Sequence, residues 1–97
     1  MFARVTHTQI LPGKMDEAIR IYQDSVVPAA KQQKGFIGIY GLGDRSTGKS
    51  MTISLWETEA DMKACEASGY YQQQLAKFKD LLGAPPVREQ YEVTVQA

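Results

Sequence analysis

Few side chains in this chain could do chemistry on their own. His7 is the one histidine and Cys65 the one cysteine. His7 alone has an ordinary pKa near neutrality, so it could serve as a general base towards a phenol. A half-buried strand histidine, bonded to a neighbour or lying at a subunit contact, is the reading favoured for it. Cys65 could act as a nucleophile if something lowered its pKa. No basic cluster adjoins it in sequence, and a small buried residue is the favoured alternative. One cysteine forms no intrachain disulfide, and one cysteine with one histidine builds no tetrahedral zinc site.

Aromatic residues offer a different chemistry, the holding of a flat ligand. Trp56 could wall such a ligand, although a core aromatic fixing a strand–helix junction carries more weight. Tyr70 and Tyr71 lie about 100° apart on a helix. Tyr71 continues an apolar stripe with Leu75 and is expected in the core. Tyr70 is the better placed of the two to bond a ligand. Tyr40 lies on the second strand and Arg45 after it, next to Asp44; Arg45 could hold a carboxylate or phenolate by paired hydrogen bonds, or simply occupy a solvated turn. Gly41-Leu42-Gly43 with Thr47-Gly48-Lys49-Ser50 lacks the spacing of a phosphate loop and leads into no helix.

The elements that must position these residues follow from periodicity and punctuation. Phe2–Ile10 reads as a strand, closed by Pro12-Gly13. Its alternation puts Phe2, Arg4, Thr6, Thr8 and Ile10 on one face and Ala3, Val5, His7 and Gln9 on the other. Residues 14–33 read as a helix with Met15, Ala18, Ile19, Tyr22 and Val26 in one stripe, and Pro28 should kink or end it. Phe36–Leu42 and Lys49–Trp56 form a hairpin. Gly38 and Gly41 inside its first strand point to a bulge or to the close approach of another backbone or a ligand. Thr58 is the expected N-cap of a helix reaching Ser68, Gly69 interrupts, and Tyr70–Leu82 continues. Val87–Val95 is the last strand.

The order β-α-β-β-α-β implies an α+β, ferredoxin-like fold, an antiparallel sheet with two helices on one face, in a single domain over residues 1–97. Apolar residues occur on both faces of the strands, with Ile37 and Ile39 set opposite Phe36 and Tyr40. A sheet wetted on one side would alternate more cleanly. A second copy of the chain is therefore expected to cover the bare face, giving a homodimeric α+β barrel with contacts near Tyr91 and Val93. Eleven basic residues balance eleven acidic ones, which gives no electrostatic reason for nucleic acid or an anionic membrane as partner. No apolar stretch approaches the ~20 residues of a membrane span. With no secretory leader visible, the expected location is cytoplasmic.

Three segments carry a resemblance: Pro12-Gly13-Lys14, Gly35-Phe36-Ile37-Gly38, and Leu55-Trp56-Glu57-Thr58-Glu59-Ala60-Asp61-Met62. Together they resemble the antibiotic biosynthesis monooxygenase family of dimeric α+β barrels. The resemblance implies a cavity for a small aromatic molecule or quinol. It also implies enzymes that often need no metal or flavin, because the deprotonated substrate itself reacts with oxygen. The family's haem-degrading branch uses an Asn on the first strand, a Trp on the second helix and a His beyond it. Counted from Gly13 and Trp56, those places hold Thr6, Cys65 and Leu75, and Leu75 cannot ligate iron. Where many members carry a pair of histidines, this chain has Cys65 and Tyr70. The substrate-binding residues so implied are Trp56, Tyr70, Cys65 and Thr6, with no metal and no cofactor. A cofactor-independent monooxygenase is the first expectation. A non-oxidative isomerase or lactone-handling enzyme, or a non-catalytic ligand-binding stress-response dimer, are the alternatives.

Overall fold

The computed structural model describes residues 1–97. Strand β1 is Phe2–Gln9, β2 Phe36–Gly43, β3 Lys49–Trp56 and β4 Val87–Glu92. They form one antiparallel sheet in the order β2-β3-β1-β4. Helices α1 (Met15–Ile21) and α2 (Val27–Ala30) join β1 to β2, and α3 (Glu59–Ala67) and α4 (Tyr70–Ala76) join β3 to β4. This is the expected ferredoxin-like arrangement. No helix is long and apolar enough to cross a membrane.

Local chemistry explains the joints. Thr58 caps α3, its hydroxyl accepting the Asp61 amide at 3.0 Å, as its type and position predict. Gly35 turns the chain into β2 at φ +79°, and a Cβ there would lie 2.2 Å from the Asp61 carboxylate. Only glycine satisfies both constraints.

The expected kink at Pro28 takes another form. Pro28 stands in the first turn of α2, while Tyr22–Val26 widens into a π-turn. The Val27 amide bonds the Tyr22 carbonyl, five residues back. Proline has no N–H for the Asp24 carbonyl and its ring crowds that group. The widened turn relieves the crowding without breaking the helix.

A second correction concerns β2. Phe36 pairs with Trp56 and Gly38 with Leu55, so a bulge absorbs Ile37. The extra residue resets the alternation. Phe36 and Ile39 both pack under the helices, while Ile37 and Tyr40 are exposed. The expected grouping of Ile37 with Ile39 is therefore wrong. Strand β4 also stops at Glu92, short of Val95. The final helix ends at Ala76, with a 3-10 turn at Lys79–Leu81. That turn buries Leu81 in place of the expected Leu82, which forms a bridge with Ile10.

Under the helices the core is split. Ile10, Ala18, Val26, Phe78 and Leu81 form one apolar cluster, and Trp56, Met62 and Cys65 another. Buried Arg4, Thr6 and Ser54 lie on the sheet on the same side. On the opposite face Tyr40, Leu42, Val87 and Tyr91 are half or more exposed.

Candidate functional site

The polar belt between the two clusters opens into a small cleft of about 50 Å³, between the helix side of the sheet and α4. The pleat of β1 delivers Arg4 and Thr6 to it, as the alternation predicts. Strand β3 delivers Thr52 and Ser54, paired with Thr6 and Arg4, and Trp56, paired with Phe2. Helix α4 supplies Tyr70 and Tyr71, and the π-turn supplies Tyr22.

Arg4 is the dominant charge. Its side chain is 5% exposed and its Nη1 lies 3.2 Å from Glu66 Oε2. The guanidinium carbon lies 4.4 Å from the centre of the Tyr71 ring and 5.3 Å from that of Trp56. A weakly hydrated, planar cation tolerates this burial where an ammonium would not. Glu66 also accepts from Gln90 Nε2 at 2.6 Å and faces Arg88 Nη1 at 3.5 Å. With Arg88 included, two cations share one carboxylate.

Hydroxyls complete the lining. Thr6 Oγ1 and the Tyr71 hydroxyl are 2.8 Å apart. The Tyr22 hydroxyl bonds Thr52 Oγ1, and Trp56 Nε1 donates to Ser54 Oγ at 3.0 Å. Burial raises the Tyr22 pKa above the usual tyrosine value, so the group stays protonated and able to donate. Burial also raises Tyr70, with Cys65 adding to the shift and Arg4 opposing it. No buried side-chain nitrogen or oxygen lacks a hydrogen-bond partner.

Thus Thr6, Trp56 and Tyr70 meet on one cleft. Cys65 stands apart from it, packed with Trp56 and Met62, its Sγ 3.7 Å from Gln33 Oε1. Burial raises its thiol pKa, with Arg4 opposing, which disfavours a thiolate. His7 is on the opposite face, 2.5 Å from Glu89 Oε1, as its alternation with Thr6 requires. Sequence reasoning missed Arg4 and Tyr22. Arg4 shares the pleat face of Thr6, and an arginine between β-branched residues on a core-facing row was the available signal. Nothing in the sequence announces Tyr22's place beyond its position in the helical stripe. No group of three or more His, Cys, Asp or Glu side chains could hold a metal ion.

Comparison with known proteins bears on the family and the fold. The family model "Antibiotic biosynthesis monooxygenase" matches residues 1–77. "Uncharacterized protein Rv2557" of Mycobacterium tuberculosis is 30% identical over 97 residues, covering 96% of this chain and 41% of its own length. The chain thus spans about two-fifths of that curated relative. Among solved structures, a monooxygenase from the gene ActVA-Orf6 of Streptomyces coelicolor, in complex with nanaomycin D, superposes with a TM-score of 0.81 at 14% identity. The match covers 99% of this chain and 89% of that one. SnoaB, a cofactor-independent oxygenase from Streptomyces nogalater, gives 0.76 at 10% identity over 98% and 94% of the two chains. At these identities the likeness is one of fold.

Proposed function

The chain belongs to the antibiotic biosynthesis monooxygenase family, and from that premise we propose that it is a cofactor-independent monooxygenase of a small, acidic phenol or quinol. The observation that carries this reading is a buried guanidinium, Arg4, in an aromatic-walled cleft that no Asp, Glu or His lines.

Such a cleft has no side chain suited to take a proton at neutral pH. It has instead a fixed positive charge and protonated hydroxyls. These favour a substrate that arrives as, or readily becomes, its phenolate. Arg4 stabilises the anion, the Tyr22 hydroxyl donates to its oxygen, and Trp56 and Tyr70 pack against the ring. The electron-rich ring then reduces dioxygen. One oxygen atom ends as a new ring carbonyl and the other leaves as water, formed with the hydrogen lost from the ring carbon and one proton returned from the solvent that took up the phenol's own. The two structural neighbours above, a monooxygenase holding nanaomycin D and a cofactor-independent oxygenase, support an aromatic substrate and chemistry without a cofactor.

Oxygen uptake with a panel of naphthols and hydroquinones is the test. The reading expects turnover that rises with the acidity of the phenol and falls by about tenfold in Tyr22→Phe, the effect of one lost hydrogen bond to an anion. No uptake across the panel would leave the ligand-binding dimer as the better account. One observation favours that second reading: Trp56, Tyr71 and Phe78 leave the cleft only about 50 Å³.

We further propose that the working form is a homodimer, joined through the sheet face that exposes Tyr40, Leu42, Val87 and Tyr91, and that it acts in the cytoplasm.

A further inference from the structure

The bare face of the sheet holds a charged cluster built on the chain's one histidine. His7 stands on β1 opposite Val87 of β4. Its Nε2 reaches diagonally to Glu89 Oε1 at 2.5 Å. The other oxygen of Glu89 accepts from the Tyr91 hydroxyl at 2.8 Å. Met51 and Val87 pair with His7 across the strands, and Val5 pairs with Glu89, so the cluster is set among apolar side chains. In the lone chain the His7 and Glu89 side chains are 41% and 42% exposed, and an exposed pair adds little to stability.

A second copy of the chain changes what this pair does. Four strands about 4.8 Å apart, with up to about eight residues each at about 3.3 Å, give the face roughly 500 Å². Two copies would remove about 1,000 Å² from water, the lower limit for a specific contact. Equal numbers of acidic and basic residues leave no net repulsion between copies. A two-fold axis sets the same patch of each copy against the other, so both clusters lose water together. In so small an interface, the charge carried into it decides the strength of the contact.

An imidazole ordinarily titrates near pH 6.5. With His7 neutral, each copy brings the net negative charge of Glu89 into the contact. With His7 protonated, each brings a neutral pair. Burial penalises the net charge more than the pair, so association favours the protonated imidazole. The neighbouring groups keep their charge in this range. The Tyr91 hydroxyl, and then His7, hold Glu89 below the usual carboxylate value, and the bond to Glu89 raises Tyr91 above the usual tyrosine value. Asp44 and Lys49, of opposite charge, line a shallow groove with His7, and Ser46 holds Asp44 low. The Met1 amino group lies beyond the far end of β1. We propose that two copies join through this face with uptake of a proton at each His7, so that the dimer tightens as pH falls from about 8 to about 6. The proposal rests on the homodimer reading above and adds its regulation.

Sedimentation equilibrium of the native chain at about pH 6 and about pH 8, at one ionic strength, gives the two dissociation constants. One pKa unit per imidazole is tenfold and the dimer has two, so the constant should rise by roughly tenfold to a hundredfold from the lower pH to the higher. His7→Gln removes the proton site and should make the two constants equal, which also separates His7 from the Met1 amino group. Glu89→Gln leaves the imidazolium unpaired and should reverse the trend, with the tighter dimer at the higher pH. A merely structural role for Glu89 would not change that sign. Circular dichroism checks both folds, and either variant decides the matter if the other misfolds. Equal constants for the native protein, a trend retained in His7→Gln, or a trend unchanged in Glu89→Gln would each overturn the proposal and leave the homodimer. Monomer at both pH values would remove the homodimer and the proposal together.

Discussion

Removing either member of the Arg4–Glu66 pair should destabilise the protein, but by unequal amounts, with the carboxylate the costlier loss. Arg4 is 5% exposed and Glu66 14%. In Glu66→Gln the guanidinium stays buried with no anion against it. Breaking a buried pair from one side costs about 3–5 kcal/mol. The Gln carbonyl still accepts one bond, so the lower half of that range applies, about 3 kcal/mol. In Arg4→Met the stranded group is Glu66, which keeps Gln90 at 2.6 Å and Arg88 at 3.5 Å. Methionine also fills the space of the arginine stem. The lost charge-assisted bond and ring contacts, roughly 2–3 kcal/mol together, are offset by the desolvation the cation no longer suffers. A net loss of about 1–2 kcal/mol remains.

Urea unfolding followed by Trp56 fluorescence separates the two. With a slope of about 1.5 kcal/mol/M, Glu66→Gln should lower the midpoint by about 2 M and Arg4→Met by about 1 M. Protein concentration must be held fixed, because association would add to stability. The double variant should be less destabilised than the sum of the singles, since the second change removes the charge the first one strands. If Arg4→Met proves as costly as Glu66→Gln, or the two effects add, the shared-carboxylate argument is wrong.

Two further outcomes are expected. Tyr22, Tyr70 and Cys65 all have pKa values raised mainly by burial. Their protonated forms are favoured in the fold, so this stability is complete below the unfolded pKa values and is lost as pH rises past about 9–10. Melting temperature should fall between about pH 8 and pH 10.5, and Tyr22→Phe should flatten that fall; an unchanged slope would exclude Tyr22 as a cause. Light scattering should return twice the 10.8 kDa chain mass, and Leu42→Glu, which sets an unpaired charge on the exposed sheet face, should shift the protein to monomer. Native protein at monomer mass would end the dimer proposal.

The order of elements was legible because strong punctuation separates them: Pro12-Gly13, the glycines around Asp44–Thr47, and Gly83-Ala84-Pro85-Pro86. Two of the misreadings, at Ile37 and at Tyr22–Val26, come from single backbone insertions. The bulge at Ile37 changes no composition, yet it moves Ile39 under the helices and leaves Tyr40 outside. The site was half legible. Trp56 and Tyr70 announce themselves by type, and Thr6 by its place in the pleat. Arg4 did not, since strand arginines usually face water. Its burial depends on Glu66, 62 residues away in sequence, and on the ring of Tyr71. Tyr71 itself was expected as core, which it is, but its hydroxyl also meets Thr6.

One residue sets the shape of two cavities, the cleft at Arg4 and an outer chamber of about 280 Å³ between α1 and the β2–β3 hairpin, lined at Gly41. Pro28 cannot complete the helix behind it, and the turn at Tyr22–Val26 widens in answer. Such widened turns recur at functional sites because they re-aim a side chain without ending a helix. Here the turn begins at Tyr22. That ring packs on Phe78 with centroids 4.6 Å apart, and its hydroxyl reaches across to β3 at Thr52. In that position it walls the inner cleft and the outer chamber at once. A regular helix would carry the residues after Tyr22 to different angles on the sheet, and Val26 and Val27 would not line the spaces they now do. The apolar chamber at Gly41 and the charged cleft at Arg4 are thus joined by one hydroxyl held between them. Ile39 lines both spaces as well, so Tyr22 supplies the polar part of the wall they share.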